Sequence, residues 1–156
     1  MKYYIIQFFL ATFATLGFTM YYKVPKKTIV TTCIVSGLMW VLYEYNLKTT
    51  HSYLRSGFIA SFAIGIAAEI CAYFYKKPAT LFSLPCLIPI VPGAGMYYIM
   101  YYFIENDYEQ MNTNLIQTLL VAAALSMGIV FSQAAAKFIK KIYRRYKELK
   151  NILGAL

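Results

Sequence analysis

The chain has 156 residues, of which 60% are hydrophobic and 13% charged, whereas soluble proteins average about half apolar and a quarter charged residues. Nearly every residue falls in apolar runs long enough to cross hydrocarbon, which leaves no room for a water-soluble domain. The net charge of +9 lies at the ends of these runs, so it indicates orientation in a lipid bilayer and no nucleic-acid partner. The composition therefore predicts an all-α integral membrane protein.

Five apolar segments follow one another along the chain, each close to the ~20 residues that a bilayer requires. They cover about 3–22, 28–45, 56–75, 81–104 and 115–138. The first is too long for the apolar part of a signal peptide and ends in a basic cluster, so we expect it to span. We expect a transmembrane helical domain over 1–139 and a basic tail over 140–156, which suits a helix along the anionic inner membrane surface.

Basic residues are distributed unequally between the two ends of the segments. Three follow the first segment, two follow the third and seven follow the fifth, which makes 12 of the 15 lysines and arginines. The positive-inside rule then predicts an outer N-terminus and a cytoplasmic C-terminus in the cell's inner or plasma membrane. A fourth segment that returned on the same side would put the basic tail outside, so the charges favour full crossing.

The fourth segment contains Pro85, Pro89 and Pro92. Each proline lacks an N–H group and crowds the carbonyl four residues earlier, which costs about 3 kcal/mol in a helix interior. Carbonyls without donors are tolerated at membrane depth only within protein or beside water. The pattern predicts a helix that is buried among its neighbours and broken near Pro92.

The residues after Pro92 give the break a candidate role in substrate binding. Proline suits the first position of a helix, and the unpaired N–H groups of the next turn then point away from it. These belong to Gly93, Ala94 and Gly95. Such groups bind carboxylates, and transporters hold anionic substrates in this way. We expect a side chain at Gly93 to prevent the close approach of a substrate to these N–H groups. A kink that only shapes packing is the alternative, and the sequence leaves both open.

Glu69 is the acidic residue that lies clearly inside an apolar segment. It ends a stripe of small residues spaced four apart, which permits close contact with another helix. The stripe is Gly57, Ser61 and Gly65. A carboxylate at this depth can mark a proton path, so Glu69 is the candidate for proton coupling. Lys76 and Lys77 lie within two turns, so a structural ion pair or a reach to the interface also stays open.

Other features of the segments indicate packing. A second small-residue face in the fifth segment comprises Ala124, Gly128 and Ser132. Tyrosines near segment ends, Tyr43 among them, are expected to anchor in the interface. Hydroxyl side chains of the first two segments could line a polar path, but we expect the threonines to bond their own helix carbonyls instead. Cys33, Cys71 and Cys86 are odd in number and lie in apolar runs, so we predict core thiols without a disulfide or metal. No catalytic constellation is visible, so we predict neither an enzyme nor a cofactor.

Several of these stretches resemble the YjjB-like half of the threonine/serine exporter (ThrE) family. The residues that carry the resemblance are 65–69 (GIAAE), 77–80 (KPAT) and 84–93 with Tyr97, of which the proline-rich run is the most specific. Residues 17–18, 24–26 and 36–37 with Tyr43 are similar to the family too. The resemblance covers essentially the whole chain.

The resemblance implies efflux of threonine and serine, or of dicarboxylates such as succinate, driven by the proton gradient. It also implies a partner, because a short chain of this kind works with a separate YjjP-like membrane subunit. The substrate would be a small carboxylate-bearing molecule. The alternative from another class is a non-transporting membrane scaffold or homo-oligomer, whose small-residue faces organise a partner.

Overall fold

The computed structural model describes residues 2–153. The helices are α1 Lys2–Tyr21, α2 Lys26–Thr50, α3 Tyr53–Tyr75, α4 Thr80–Leu87, α5 Gly93–Ile104 and α6 Tyr108–Leu153, with a 3-10 turn at Ile88–Ile90 between α4 and α5. Within this described part, five helical stretches are long and apolar enough to cross a membrane. The fourth stretch, Thr80–Ile104, combines α4, the 3-10 turn and α5. The predicted all-α membrane fold with a broken fourth helix is confirmed.

Short connections join the first helices. His51 ends α2 and Lys76 ends α3, each in the left-handed backbone region with φ of 51°. Their N–H groups donate to the carbonyls of Leu47 and Ala72, which pairs carbonyl groups at the helix ends. At the start of α3, the Ser52 side chain accepts a hydrogen bond from the backbone of Arg55. These caps fix where each helix turns back towards the bilayer.

Helices α3 and α6 pack closely through the two small-residue stripes. The contacting pairs, in order along both helices, are Gly57 with Ala124, Ser61 with Gly128 and Gly65 with Ser132. The Ser61 hydroxyl also donates to the Ala124 carbonyl at 3.3 Å. Because the pairs follow the same order on both helices, α3 and α6 run parallel. The chain must therefore return along their length between the end of α3 and the start of α6.

The fourth stretch provides this return. At its beginning, Phe82 of α4 contacts Tyr75 at the end of α3, with 5.7 Å between ring centroids. Beyond the break, α5 packs on α6, and Tyr98 shares a cavity wall with Tyr53, the first residue of α3. The fourth stretch thus runs alongside the whole of α3 in the reverse direction, as a full crossing requires.

The main core lies between α2, α3, the broken stretch and α6. Its buried members are Tyr43, Ala60, Ile64, Cys86, Ile90, Val121 and Leu125. The two halves of the fourth stretch differ, because α4 carries several buried residues whereas α5 has none. Only the first half of the broken helix is enclosed by protein.

Hydroxyl groups connect α1 and α2 in the interior. Thr15 donates to the Ala11 carbonyl at 2.8 Å and lies 2.6 Å from the Ser36 hydroxyl. Thr32 likewise donates to the Thr28 carbonyl at 2.8 Å. The prediction that these threonines bond their own helix carbonyls is confirmed, so their donors are used within the bundle.

Candidate functional site

The 3-10 turn accommodates the prolines of the broken helix. Pro89 has no N–H for the Pro85 carbonyl, but the N–H of Ile88 donates there. Pro92 likewise has no N–H group to donate to the Ile88 carbonyl. The N–H of Val91 donates to that carbonyl instead, at 3.3 Å. The tighter three-residue pattern therefore satisfies, within the backbone, two carbonyls that the sequence pattern leaves without donors.

Helix α5 begins at Gly93, with Pro92 just before it at the N-cap position and no side chain capping the helix. The Gly93 N–H is occupied, because it donates to the Val91 carbonyl at 2.7 Å. Within the described range 2–153, the N–H groups of Ala94 and Gly95 have no hydrogen-bond acceptor. Two open N–H groups therefore remain at this helix start, where the sequence pattern predicts three.

A cavity of about 300 Å³ adjoins the start of α5, and we call it the break cavity. The broken stretch supplies one wall with Pro89, Ile90, Val91, Pro92, Ala94 and Gly95. The other walls come from α2, α3, α5 and α6, with Trp40, Tyr43, Tyr53, Tyr98, Asn114, Gln117, Thr118 and Val121. Of the predicted site residues, Pro89, Pro92, Ala94 and Gly95 line the cavity, whereas Pro85 and Gly93 do not.

The α6 wall of the break cavity is polar. Asn114 donates through its amide nitrogen to the Gln110 carbonyl at 2.9 Å, which leaves its amide oxygen for another partner. Among the hydrogen bonds of residues 2–153, none involves the side chains of Gln117 or Thr118. A helix face with polar residues at 114, 117 and 118 is a signal that the sequence contains, but the predicted span begins at 115 and divides it.

The opposite wall is aromatic. Trp40 and Tyr43 stack with 5.6 Å between ring centroids and 30° between ring planes. The Trp40 indole N–H donates to Gln7 at 2.9 Å, which fixes the ring against α1. Tyr43 is only 7% exposed, so the prediction that it anchors in the interface is wrong. Its ring lies in the core because Trp40 and Tyr53 cover it at the cavity.

Close approach of α5 to α6 depends on Gly95. A side chain at this position would collide with the hydroxyl of Thr118. Apart from its chain neighbours and its own helix backbone, a side chain at Gly93 would meet no protein atom within 4 Å. The tight contact between helices is therefore at Gly95 and not at Gly93, because Gly95 faces α6.

Glu69 lies away from the break cavity. Its carboxylate accepts a hydrogen bond from Lys140 of α6 at 2.6 Å, and the Glu69 side chain is 19% exposed. Glu69 follows Tyr53 of the cavity wall by sixteen positions in α3, a distance of about 24 Å along the helix axis. The structure does not bring the two predicted sites together, and it pairs Glu69 with a lysine of α6 rather than with Lys76 or Lys77.

The three cysteines are buried and free. The Cys86 thiol donates to the Thr32 carbonyl at 3.4 Å, which places it at the contact between α4 and α2. Among the side chains that the structure describes, no group of three or more from His, Cys, Asp or Glu could hold a metal ion. The cysteines contribute to helix packing.

Comparisons with known proteins agree with the resemblance. A family model described as Threonine/Serine exporter, ThrE, matches residues 7–135, a range that includes Glu69 and every residue that lines the break cavity. No curated protein and no solved structure matches the chain. The chain is thus a multi-pass membrane protein that belongs to the threonine/serine exporter (ThrE) family.

Proposed function

We propose that the chain is the membrane subunit of a secondary exporter and that the break cavity binds its small carboxylate-bearing substrate. The observation that carries this proposal is the position of two open N–H groups, those of Ala94 and Gly95, at a cavity whose other walls offer further polar groups and aromatic rings. The cavity volume of about 300 Å³ is at the lower end for ligand pockets. This size suits a small metabolite.

The substrate carboxylate would lie at the start of α5. The N–H groups of Ala94 and Gly95 point away from the helix body, and the helix dipole adds a partial positive charge there. Neither a capping side chain nor a hydrogen-bond acceptor within residues 2–153 competes for them. A bound carboxylate would supply the missing acceptors.

The remaining groups of the cavity favour an amino acid over a dicarboxylate. None of the lining residues, all within the described part of the chain, is charged. A second carboxylate would have only amide and hydroxyl donors, such as those of Gln117 and Thr118. An ammonium group could instead lie against the half-buried ring of Trp40, since cations bind aromatic faces with about 0.5–2 kcal/mol. Threonine and serine are therefore the first substrates we propose, and succinate the second.

Proton coupling, the second part of this proposal, involves Glu69. Protonation of its carboxylate would remove the charge that pairs with Lys140, and thereby weaken the contact between the ends of α3 and α6. Since α6 also forms the polar wall of the break cavity, a movement of α6 would connect the two distant sites. The ion pair is accessible from the basic end of the bundle, where Lys140 is 60% exposed.

A partner subunit of the YjjP-like type completes the proposed exporter in the cell's inner or plasma membrane. The chain offers it open surface next to the cavity, because α5 has no buried residue and packs mainly on α6. Large apolar side chains such as Met96, Met100 and Ile104 are exposed on it. Such residues face lipid in the separated chain and would pack on helices of a partner.

The test is efflux from liposomes that contain this chain alone, a YjjP-like subunit alone, or both. Labelled serine, threonine and succinate are loaded in turn, with and without an imposed pH gradient. The proposal predicts gradient-dependent efflux of serine and threonine only when both subunits are present. Activity of the chain alone would contradict the two-subunit proposal, and efflux that needs only the other subunit would identify this chain as a scaffold.

A further inference from the structure

A second groove lies between α3 and α6 at the basic end of the bundle, opposite the break cavity. Its volume is about 280 Å³. Ile66 and Ile70 of α3 and Ile139 of α6 provide apolar walls, and all three are more than 40% exposed. Glu69 and Lys140 lie among these apolar side chains as an ion pair. We call this feature the α3–α6 groove.

The floor of the groove is built from small side chains. Ala135 and Ala136 of α6 face α3 one turn beyond the contact of Gly65 with Ser132. Because these alanines are short, the helices leave a channel between the exposed isoleucines on either side. The channel follows the helix axes, which is the direction that a lipid acyl chain takes in a bilayer.

One end of the groove is cationic. Lys140 has three N–H donors, of which one is directed to Glu69, and its side chain is 60% exposed. The neighbouring lysines Lys137 and Lys141 of α6 are exposed, as are Lys76 and Lys77 after α3. Among the residues that line the groove, Glu69 is the one carboxylate. An anionic group near Lys140 would therefore meet an excess of positive charge.

We infer that the α3–α6 groove is a binding site for an anionic phospholipid, with an acyl chain between the isoleucines and the phosphate at Lys140. A phospholipid combines, in one molecule, the apolar chain that the groove accepts and the anion that its basic end attracts. Tyr73, which is 78% exposed and lines the same end, suits the depth of the headgroups. Lys140 then bridges Glu69 and the lipid phosphate.

The test is native mass spectrometry of the full chain released from detergent micelles. The probes are dioleoyl phosphatidylglycerol and dioleoyl phosphatidylcholine, which share acyl chains and differ in headgroup charge. The inference predicts tighter binding of phosphatidylglycerol. Lys140→Gln should weaken that binding about fivefold, the contribution of one lysine near an anionic headgroup. The matched control Lys2→Gln, at the opposite end of the bundle, should leave it unchanged.

Two further variants keep the inference testable if Lys140→Gln is poorly folded. Ala135→Leu fills the groove while Glu69 and Lys140 stay in place, so it should weaken binding of both lipids. Glu69→Gln leaves Lys140 without its protein partner, so binding of phosphatidylglycerol should be retained or strengthened. Equal binding of the two lipids, or no change with Ala135→Leu, would overturn the lipid site. The groove would then be a contact site for a helix of another protein.

Discussion

Ser132 of α6 occupies the space that a side chain at Gly65 of α3 would need. The Ser132 hydroxyl donates to its own helix, to the Ile129 carbonyl at 2.8 Å, and is fully buried. Close backbone approach at this point sets the separation of two parallel helices. Their positions in turn determine how α6 faces the break cavity at one end and Glu69 at the other.

Gly65→Ala should therefore destabilise the bundle. The added methyl group would push α3 and α6 apart at a packed contact, at a cost of about 1–3 kcal/mol. Unfolding in mixed micelles at increasing dodecyl sulfate measures the free energy of unfolding. Gly17→Ala is the control, because a methyl group there has no protein atom within 4 Å apart from its chain neighbours and its own helix backbone. Equal stability of the two variants would show that α3 and α6 do not depend on this contact.

The sequence predicts which face of α3 packs against another helix, but it does not predict which helix or which side chains lie opposite. Small residues four apart, such as Gly57 and Gly65, identify a helix face that meets protein. They do not identify the other helix. The partner of Glu69 is Lys140, 71 residues away, and nothing in the local pattern selects it over Lys76. Long-range pairs of this kind depend on the register of α3 against α6.

The break cavity, too, could be predicted only in part from the sequence. The prolines predict the break, and Pro92, Ala94 and Gly95 do line a cavity. The polar face at 114, 117 and 118 is present in the sequence, but its place in the cavity wall could not be predicted, because that depends on how α6 packs along α5. Nor does a local pattern reveal that the Gly93 N–H donates to Val91, since this bond arises from the geometry of the turn before α5.

Gly95→Ala should impair transport more than it impairs folding. The methyl group would meet the Thr118 hydroxyl, so α5 would shift from α6 and the N–H groups at its start would be displaced. We expect the lost contact with the substrate carboxylate to lower transport of serine at limiting concentration by about tenfold, the effect of one hydrogen bond. Efflux from liposomes with both proposed subunits checks this, with Gly17→Ala as control. Normal serine transport by Gly95→Ala would exclude a substrate site that needs this contact.

Glu69→Gln and Lys140→Gln separate proton coupling from a structural ion pair. Each removes the same salt bridge, which contributes about 0.2–1 kcal/mol when partly exposed. If Glu69 is the protonated group, Glu69→Gln should abolish the response of efflux to an imposed pH gradient, while Lys140→Gln should retain it. The measurement compares efflux rates at several gradients. Identical behaviour of the two variants would mean that the pair is structural only.

Orientation in the membrane can be tested with introduced cysteines. Asn106→Cys, in the loop before α6, should react with an impermeant maleimide added to intact cells. Lys77→Cys, in the loop after α3, should react only once the membrane is opened. Cys33, Cys71 and Cys86 are buried, so the unaltered chain provides the unlabelled control. Labelling of Lys77→Cys in intact cells would reverse the orientation that the lysines predict.

The central claim is that the break cavity binds the exported substrate, and Thr118→Val tests it most directly. This substitution keeps the shape of the side chain and removes a hydroxyl that has no partner within residues 2–153. Thr113→Val is the matched control on the same helix, where the hydroxyl donates to the Glu109 carbonyl at 3.0 Å and lies outside the cavity. The measurement is the serine concentration at half-maximal efflux in liposomes with both proposed subunits. Thr118→Val should raise it about three- to tenfold, the effect of one hydrogen bond, and Thr113→Val should not; an unchanged value for Thr118→Val, or an equal rise in both variants, would contradict the account.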